Sequence, residues 1–487
     1  MRPSLLALLP LLALAACGSG TGQRRDDTAV VVSAIGNGTT LADPDAGPLD
    51  PAHRVLLGAT AQGLVRFDAA GQIEPGLAER WIVIDDGRSF IFRLRDDATW
   101  PNGEAVTAGE VVRVLRRAIQ PRSRNPLAPF LAVIDEIVEM TPQVIEVRLK
   151  RPRPDLLKLF AQPEMAVFQL DKLDGSGPFR ATPNRAGVLL RPIREPGDAE
   201  DAAAPQPQDL LQFRGERAAA ALTRFRTGYS DLVLGGDFID WPLVGVVGIA
   251  PQNVRLDKAL GLFGLAVASR EGFFADAANR AAIAMAIDRA AVTHQIHPDW
   301  APIETLLPAQ LDSANPPAQP GWAGPDLDTR RQNARTIVAN WRRGHPGPVT
   351  VRVALPSGPG ATLVWARIAE ALYAIRLSPV RVAQDAPADL RLIDAVAPYD
   401  SARWFVATAC EMCSPQTQAL IEAGRDAPDL DARAARIADA DAALAADIAY
   451  IPIAQPFRWS IVALRLQAWQ GNARAWHPLN HLRNETR

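Results

Sequence analysis

The chain has 487 residues, 48% of them hydrophobic and 22% charged, with a formal net charge of −2. That balance excludes an intrinsically disordered chain and supplies no basic surplus for nucleic acid. The length corresponds to about three structural units and is ample for a large buried core. The 41 prolines outnumber the 34 glycines, which predicts many loops with stiffened connections.

The N-terminus begins with Met1-Arg2, a short positive segment, and Leu5 to Ala15 is apolar apart from Pro10. This run is shorter than the roughly 20 residues a membrane-spanning helix needs, but it suits a signal peptide, here residues 1–16. Leu14-Ala15-Ala16-Cys17 resembles the bacterial lipobox, in which the cysteine becomes the lipidated first residue of the mature chain. An ordinary cleaved signal with a chance cysteine is the alternative. Residues 17–27 then read as a small, polar tether. Export implies an oxidising compartment, and beyond Cys17 the chain has two cysteines, Cys410 and Cys413, spaced as Cys-x-x-Cys. A structural disulfide is the main reading of that pair, with free buried thiols and a redox pair as alternatives.

Ala29 to Ile35 reads as a first strand. Asp85-Asp86-Gly87-Arg88 is a turn joining strands 81–84 and 89–94. In "TWPNGEAVTAGEVVRVLRRAI", residues 99–119, Asn102-Gly103 turns the chain and Thr107 with Glu110 fits a capping box. An amphipathic helix follows, led inward by Val111, Val112 and Leu115. "QVIEVRLKRPRPDLLKLF" predicts a strand and then a helix bounded by prolines, and "VLLRPI" another strand. Residues 195–209, acidic and rich in Ala and Pro, read as a solvated surface loop. "GERAAAALTRFRTGYSDLVLGG" predicts a helix and a strand, and "KALGLFGLAVAS" a strand or a pair broken at Gly264. "DAANRAAIAMAIDRAAVTHQI" predicts one helix. "PVTVRVALP", "TLVWARIAEALYAI" and "PVRVAQ" predict strand, helix, strand. A long helix, Leu430 to Ile448, precedes "YIPIAQPFRWSIVAL". Strands and helices alternate throughout, so the fold class is α/β.

Residues 63–119 contain Pro-Gly-Leu-Ala-Glu-Arg-Trp, Asp-Gly-Arg-Ser-Phe-Ile-Phe-Arg-Leu-Arg, Asn-Gly and Thr-Ala in that order. "GSGPFR" (175–180), "ALTRFRTGYSDLVL", "FFADAANRAAIAMAIDRAAV" and "YIPIAQ" follow. This ordered set resembles the family 5 extracellular solute-binding proteins of bacterial ABC transporters, the peptide- and nickel-binding group. The resemblance implies a two-lobed periplasmic-binding-protein-like fold with a hinge and an inter-lobe cleft. The first lobe would span 28–258, with a small domain at about 56–169; the second would span 259–454, and 455–487 would return to the first. With the lipobox at Cys17, the expectation is a monomer, lipid-anchored in the periplasm or cell envelope. Such a protein would bind a peptide or similar compact polar solute and feed an ABC permease in the inner membrane. The alternative is a transport-inactive envelope lipoprotein derived from that family, acting as sensor or scaffold.

No catalytic, cofactor or metal constellation is assigned. His294 and His297 have i, i+3 spacing, but no carboxylate or cysteine cluster stands beside them, and a metal site needs three or four ligands. The proposed ligand contacts are Gln62, Gly63, Tyr399, Asp400 and Trp404. Where the family carries a glutamate this chain has Gln62, and Pro398 falls near the position of an aspartate that peptide binders use. Asp394 and Asp400 lie nearby but out of register. A solvated loop carboxylate is the alternative for Asp400, and core packing the alternative for Tyr399 and Trp404.

Overall fold

The computed structural model describes residues 25–193 and 205–482. Cys17, the signal peptide and most of the 195–209 segment lie outside the described residues. Three sheets of four strands or more organise the described residues. The first has seven strands in the order Val254–Asp257, Arg458–Val462, Leu232–Asp237, Val30–Ile35, Leu211–Glu216, Gly187–Pro192 and Phe179–Asn184. Val30–Ile35 runs parallel to both its neighbours, and the outer pairings are antiparallel. Helix Pro51–Thr60 covers this sheet. Asp50 caps it by accepting from the His53 amide at 2.9 Å, and Pro51 occupies the first turn, where no amide is missed. Its Ala52, Val55, Leu56 and Ala59 share one core with Val30, Val32 and Ala34.

The second lobe is built on five strands in the order Ser378–Val382, Thr350–Ala354, Leu390–Val396, Gly261–Val267 and Tyr450–Ala454. Gly261–Val267 is buried along its whole length because side chains pack on both faces. It is a single strand, not a pair broken at Gly264; the irregularity there is a register shift against Tyr450–Ala454. The small domain is a four-stranded antiparallel sheet, Ala78–Ile84, Ser89–Leu94, Val144–Leu149 and Ile134–Thr141, covered by helix Ala108–Ala118. That helix starts as the residues predict. Thr107 Oγ1 accepts from the Glu110 amide, and Glu110 Oε2 accepts from the Thr107 amide at 3.0 Å. Burial pushes the Glu110 carboxyl up, but the hydrogen bonds from Thr107 and the Trp100 indole prevail and hold it below its usual range.

One expected helix is two. Ala277–Ala286 ends before Ile287, whose backbone is extended, and Asp288 caps Arg289–His294. The break frees the carbonyls of Ala284 and Ile287, which the buried Arg289 guanidinium takes up together with the Pro452 carbonyl of strand Tyr450–Ala454. His297 therefore lies beyond the helix end that carries His294, so the two do not share a helix face.

Among the described residues two connections join the lobes. Residues 258–260 lead from Val254–Asp257 into Gly261–Val267, and residues 455–457 lead from Tyr450–Ala454 into Arg458–Val462. They are bonded side by side, Gly261 N–H donating to Gln455 Oε1 at 2.8 Å. Two short parallel connections leave rotation about their common line as the soft motion between the lobes.

Candidate functional site

Beside these connections the lobes meet on a buried charge cluster. Arg458, the first residue of its strand, donates to both oxygens of Asp394 on the other lobe at 2.9 and 3.0 Å. Asp237 pairs opposite Arg458 in the first sheet. Burial, and then the nearby Asp237 charge, push Asp394 up to about 6 against the pull of Arg458. Two carboxylates thus share one desolvated guanidinium, and one of them keeps its proton to higher pH than an exposed aspartate. Aromatic rings pack around the connection. Trp241 meets Phe457 at 5.1 Å and His297 at 5.2 Å, and Trp300 meets Phe457 at 5.2 Å. His297 is a packing residue here. His477 and His481 contact Asp257 and Glu74 separately, at 3.0 and 2.8 Å. Among the described residues no group of three or more His, Cys, Asp or Glu is placed to hold a metal.

Farther from the hinge the small domain closes against the loop 397–401 of the second lobe. Asp400 is paired from the first-lobe side by both Lys158 and Arg474. Gln162 donates to the Pro398 carbonyl at 2.6 Å, and Arg474 to the Ala397 carbonyl at 2.6 Å. Phe130 of the small domain packs edge-on against Tyr399 at 5.7 Å. One apolar cluster runs from Phe92 and Phe160 of the small domain into Trp404 and Leu444 of the second lobe. The lobes are closed on each other, and in this arrangement the chain's own side chains occupy the seam.

The expected contact residues divide. Gln62 is buried, with its amide donating to the Ser176 carbonyl at 2.6 Å and its Oε1 unpartnered. Gly63 is a glycine of necessity, since an added Cβ would stand 2.1 Å from the Phe160 carbonyl oxygen. Both line a cavity of about 30 Å³ with Gln162 and Trp476, room for little more than a water or two. Gln162 links that cavity to the 397–401 loop, so Gln62, Gly63, Tyr399 and Asp400 belong to one seam. Tyr399 and Trp404 are both core residues, only 5% and 4% exposed. Trp404 packs on Phe405 at 5.0 Å and makes no part of the polar seam. Asp400 is no solvated loop carboxylate, because two cations from the other lobe hold it. Cys410 and Cys413 are disulfide-bonded, closing the turn between helices Ala402–Ala409 and Pro415–Asp426. Sequence reasoning passed over Lys158, Gln162 and Arg474. The basic, proline-bounded "RPRPDLLK" was a usable signal for the first, and nothing local marks the other two.

Residues 72–339 match the sequence model of bacterial extracellular solute-binding proteins, family 5, middle part. Among curated proteins, the probable deoxycholate-binding periplasmic protein YgiS of Escherichia coli is 39% identical over 95 residues, 18% of each chain. The periplasmic oligopeptide-binding protein OppA of Haemophilus influenzae is 37% identical over 89 residues, 18% of this chain and 16% of that one. These first matches thus span less than a fifth of the relatives' length. OppA of Escherichia coli is 24% identical over 324 residues, 60% of this chain and 59% of that protein. Among solved structures, Haemophilus influenzae OppA in complex with RPPGFSPFR aligns with TM-score 0.78 at 16% identity, covering 94% of this chain and 99% of that one. The Escherichia coli murein tripeptide binding protein MppA aligns at 0.79 with 18% identity, covering 94% and 98%. The unliganded open form of MppA aligns at 0.66 with 18% identity, covering 94% and 96%.

Proposed function

Because this chain belongs to the family 5 bacterial extracellular solute-binding proteins, we propose that it captures a peptide or similar compact polar solute between its lobes. It then delivers that solute to an ABC importer in the membrane. The single observation that carries this reading is the seam. First-lobe groups, the Lys158 and Arg474 cations and the Gln162 amide, converge on loop 397–401 of the second lobe, on faces that part as the lobes rotate about their two connections. A solute that bonds both sides of the seam stabilises the closed form by its differential affinity for it. The similarity to OppA and MppA, named for oligopeptide and murein tripeptide binding, supports a peptide-like solute. The domain division follows the same reading: a first lobe at 28–258 containing the small domain, a second at 259–454, and a return at 455–487. Strand Arg458–Val462 lying in the seven-stranded sheet supports that return. Lipidation at Cys17 would hold the protein at the membrane. Cys17→Ser is expected to release it into the soluble fraction, and unchanged membrane partitioning would overturn the anchor.

One observation favours a second reading, an envelope sensor or scaffold without transport. Asp400 and the carbonyls of Ala397 and Pro398 are already bonded within the chain. Native mass spectrometry of protein purified from its own envelope separates the two. Solute capture predicts co-purifying peptides or one compact polar solute, and thermal stabilisation when a peptide library is added. An empty protein that no library member stabilises would overturn capture and favour the scaffold.

A further inference from the structure

The charges along the seam do not balance. Arg433 pairs with Asp312, and Lys158 and Arg474 share Asp400. Asp155 is the remaining carboxylate in this group, half-buried and raised above its usual range by desolvation first and by Asp312 second. Arg153 and Arg403 have no carboxylate within ion-pair distance among the described residues. The neighbouring Asp426 is already held by Arg151 at 3.1 Å and Arg425 at 2.8 Å.

These two arginines reach across the seam in opposite directions. Arg153, between the small domain's sheet and helix Leu156–Phe160, donates to the Arg425 carbonyl on the second lobe at 2.7 Å. Arg403, on helix Ala402–Ala409 of the second lobe, lies over the Phe130 ring of the small domain at 5.6 Å. Arg403 is 9% exposed, and its Nε has no hydrogen-bond partner. Burial, and then the Arg433 and Arg403 charges, lower Arg153 to about 10. Burial likewise lowers Arg403. A buried cation beside a half-buried one, neither with a counter-charge, opposes closure unless something else brings the negative charge.

We infer that the seam between Arg153 and Arg403 receives an anionic group of the solute, a carboxylate or comparable oxyanion, so that this protein selects solutes of net negative charge. Arginine suits the task because its planar fork bonds an oxyanion through two parallel N–H groups. The inference rests on the solute-capture reading above and adds the charge class to it. The lobes would close more completely over such a solute than over a neutral one, since only the anion relieves the repulsion between them.

Calorimetry on the purified full chain tests this with three C-terminally amidated tripeptides, triglutamate, trialanine and trilysine, so that only the first carries a carboxylate. Triglutamate is expected to bind at least about tenfold more tightly than trialanine, and trilysine more weakly than either. Arg403→Gln and, separately, Arg153→Gln should each weaken triglutamate binding about 10- to 100-fold, with Arg403→Lys recovering part of it. Both glutamine variants should match or exceed the parent in unfolding temperature without solute, because an unpaired cation has been removed. A merely structural arginine would instead lower it. Trialanine or trilysine binding as tightly as triglutamate overturns the inference, as does unchanged triglutamate binding by both variants. If none of the three binds, the solute that co-purifies decides, an anion supporting the inference and a neutral or cationic one overturning it. A protein with no solute at all fails at the capture reading, and this inference falls with it.

Discussion

Asp231→Ala is expected to destabilise the chain by about 3–5 kcal/mol, the largest single effect predicted for a side chain of the first lobe. Asp231 and Arg465 are 1% and 2% exposed, and they pair through two bonds, Nε to Oδ1 at 3.0 Å and Nη2 to Oδ2 at 2.7 Å. Asp231 Oδ2 also accepts from the Val31 amide at 2.8 Å. Arg465 donates further to the carbonyls of Thr28 at 3.1 Å and Ala29 at 3.2 Å. The pair thus ties residues 28–31, the strand Leu232–Asp237 and the C-terminal return into one sheet. Removing the carboxylate alone leaves a guanidinium buried without its counter-charge, which is why the cost exceeds that of an exposed ion pair. Replacing both residues, as Asp231→Ala with Arg465→Met, should recover a large part of the loss. A urea midpoint for Asp231→Ala within about 0.5 kcal/mol of the parent would show that the pair contributes no more than a surface contact.

Asp441 carries the second large effect, and it depends on pH. It is 2% exposed, on helix Leu430–Asp447, with Oδ2 accepting from the Ala318 amide at 2.8 Å and Oδ1 unpartnered. Burial pushes it up to about 6, and the single Ala318 bond only partly opposes that. The folded value lies above the unfolded one, near 3.9. Between the two the native state therefore binds more protons than the unfolded chain, and stability falls as pH rises. Ionising this group costs the fold up to about 3 kcal/mol by neutral pH, a cost absent below the unfolded value. Asp441→Asn keeps an acceptor for Ala318 and removes the charge. It should raise stability by about 1–2 kcal/mol at pH 7.5, do little at pH 4, and flatten the slope between them. Equal slopes for parent and variant across that range would refute the assignment.

How much of this was legible differs by feature. The turn at Asn102-Gly103, the Thr107–Glu110 box and the paired strands around Asp85-Asp86-Gly87 depend on residues a few positions apart. Local chemistry specifies them wherever the rest of the chain goes. The break at Ile287 was not legible, because a run of alanines with a helical apolar period reads as continuous. What decides it is Arg289 turning inward to the Pro452 carbonyl, which belongs to a strand of the five-stranded sheet and lies far along the chain. Segments such as helix Leu327–Gly344 and strand Leu211–Glu216 were also passed over, lying in stretches dense in proline and polar residues. In the seam, Gln62, Gly63 and Asp400 were found through a motif. Their partners were not. Lys158 lies 242 residues from Asp400, and Gln162 lies 236 from Pro398.

By itself the amino-acid sequence determined the α/β class, the ordered motifs of family 5, and the turns and caps that start its elements. All of these follow from short-range sterics, hydrogen bonding and apolar period. Only the tertiary structure decided which carboxylates are paired, which aromatics are core and which cations stand alone. Pairing, desolvation and repulsion belong to groups that meet when two lobes close. A residue such as Arg403 becomes informative only when Phe130 covers it and no carboxylate arrives.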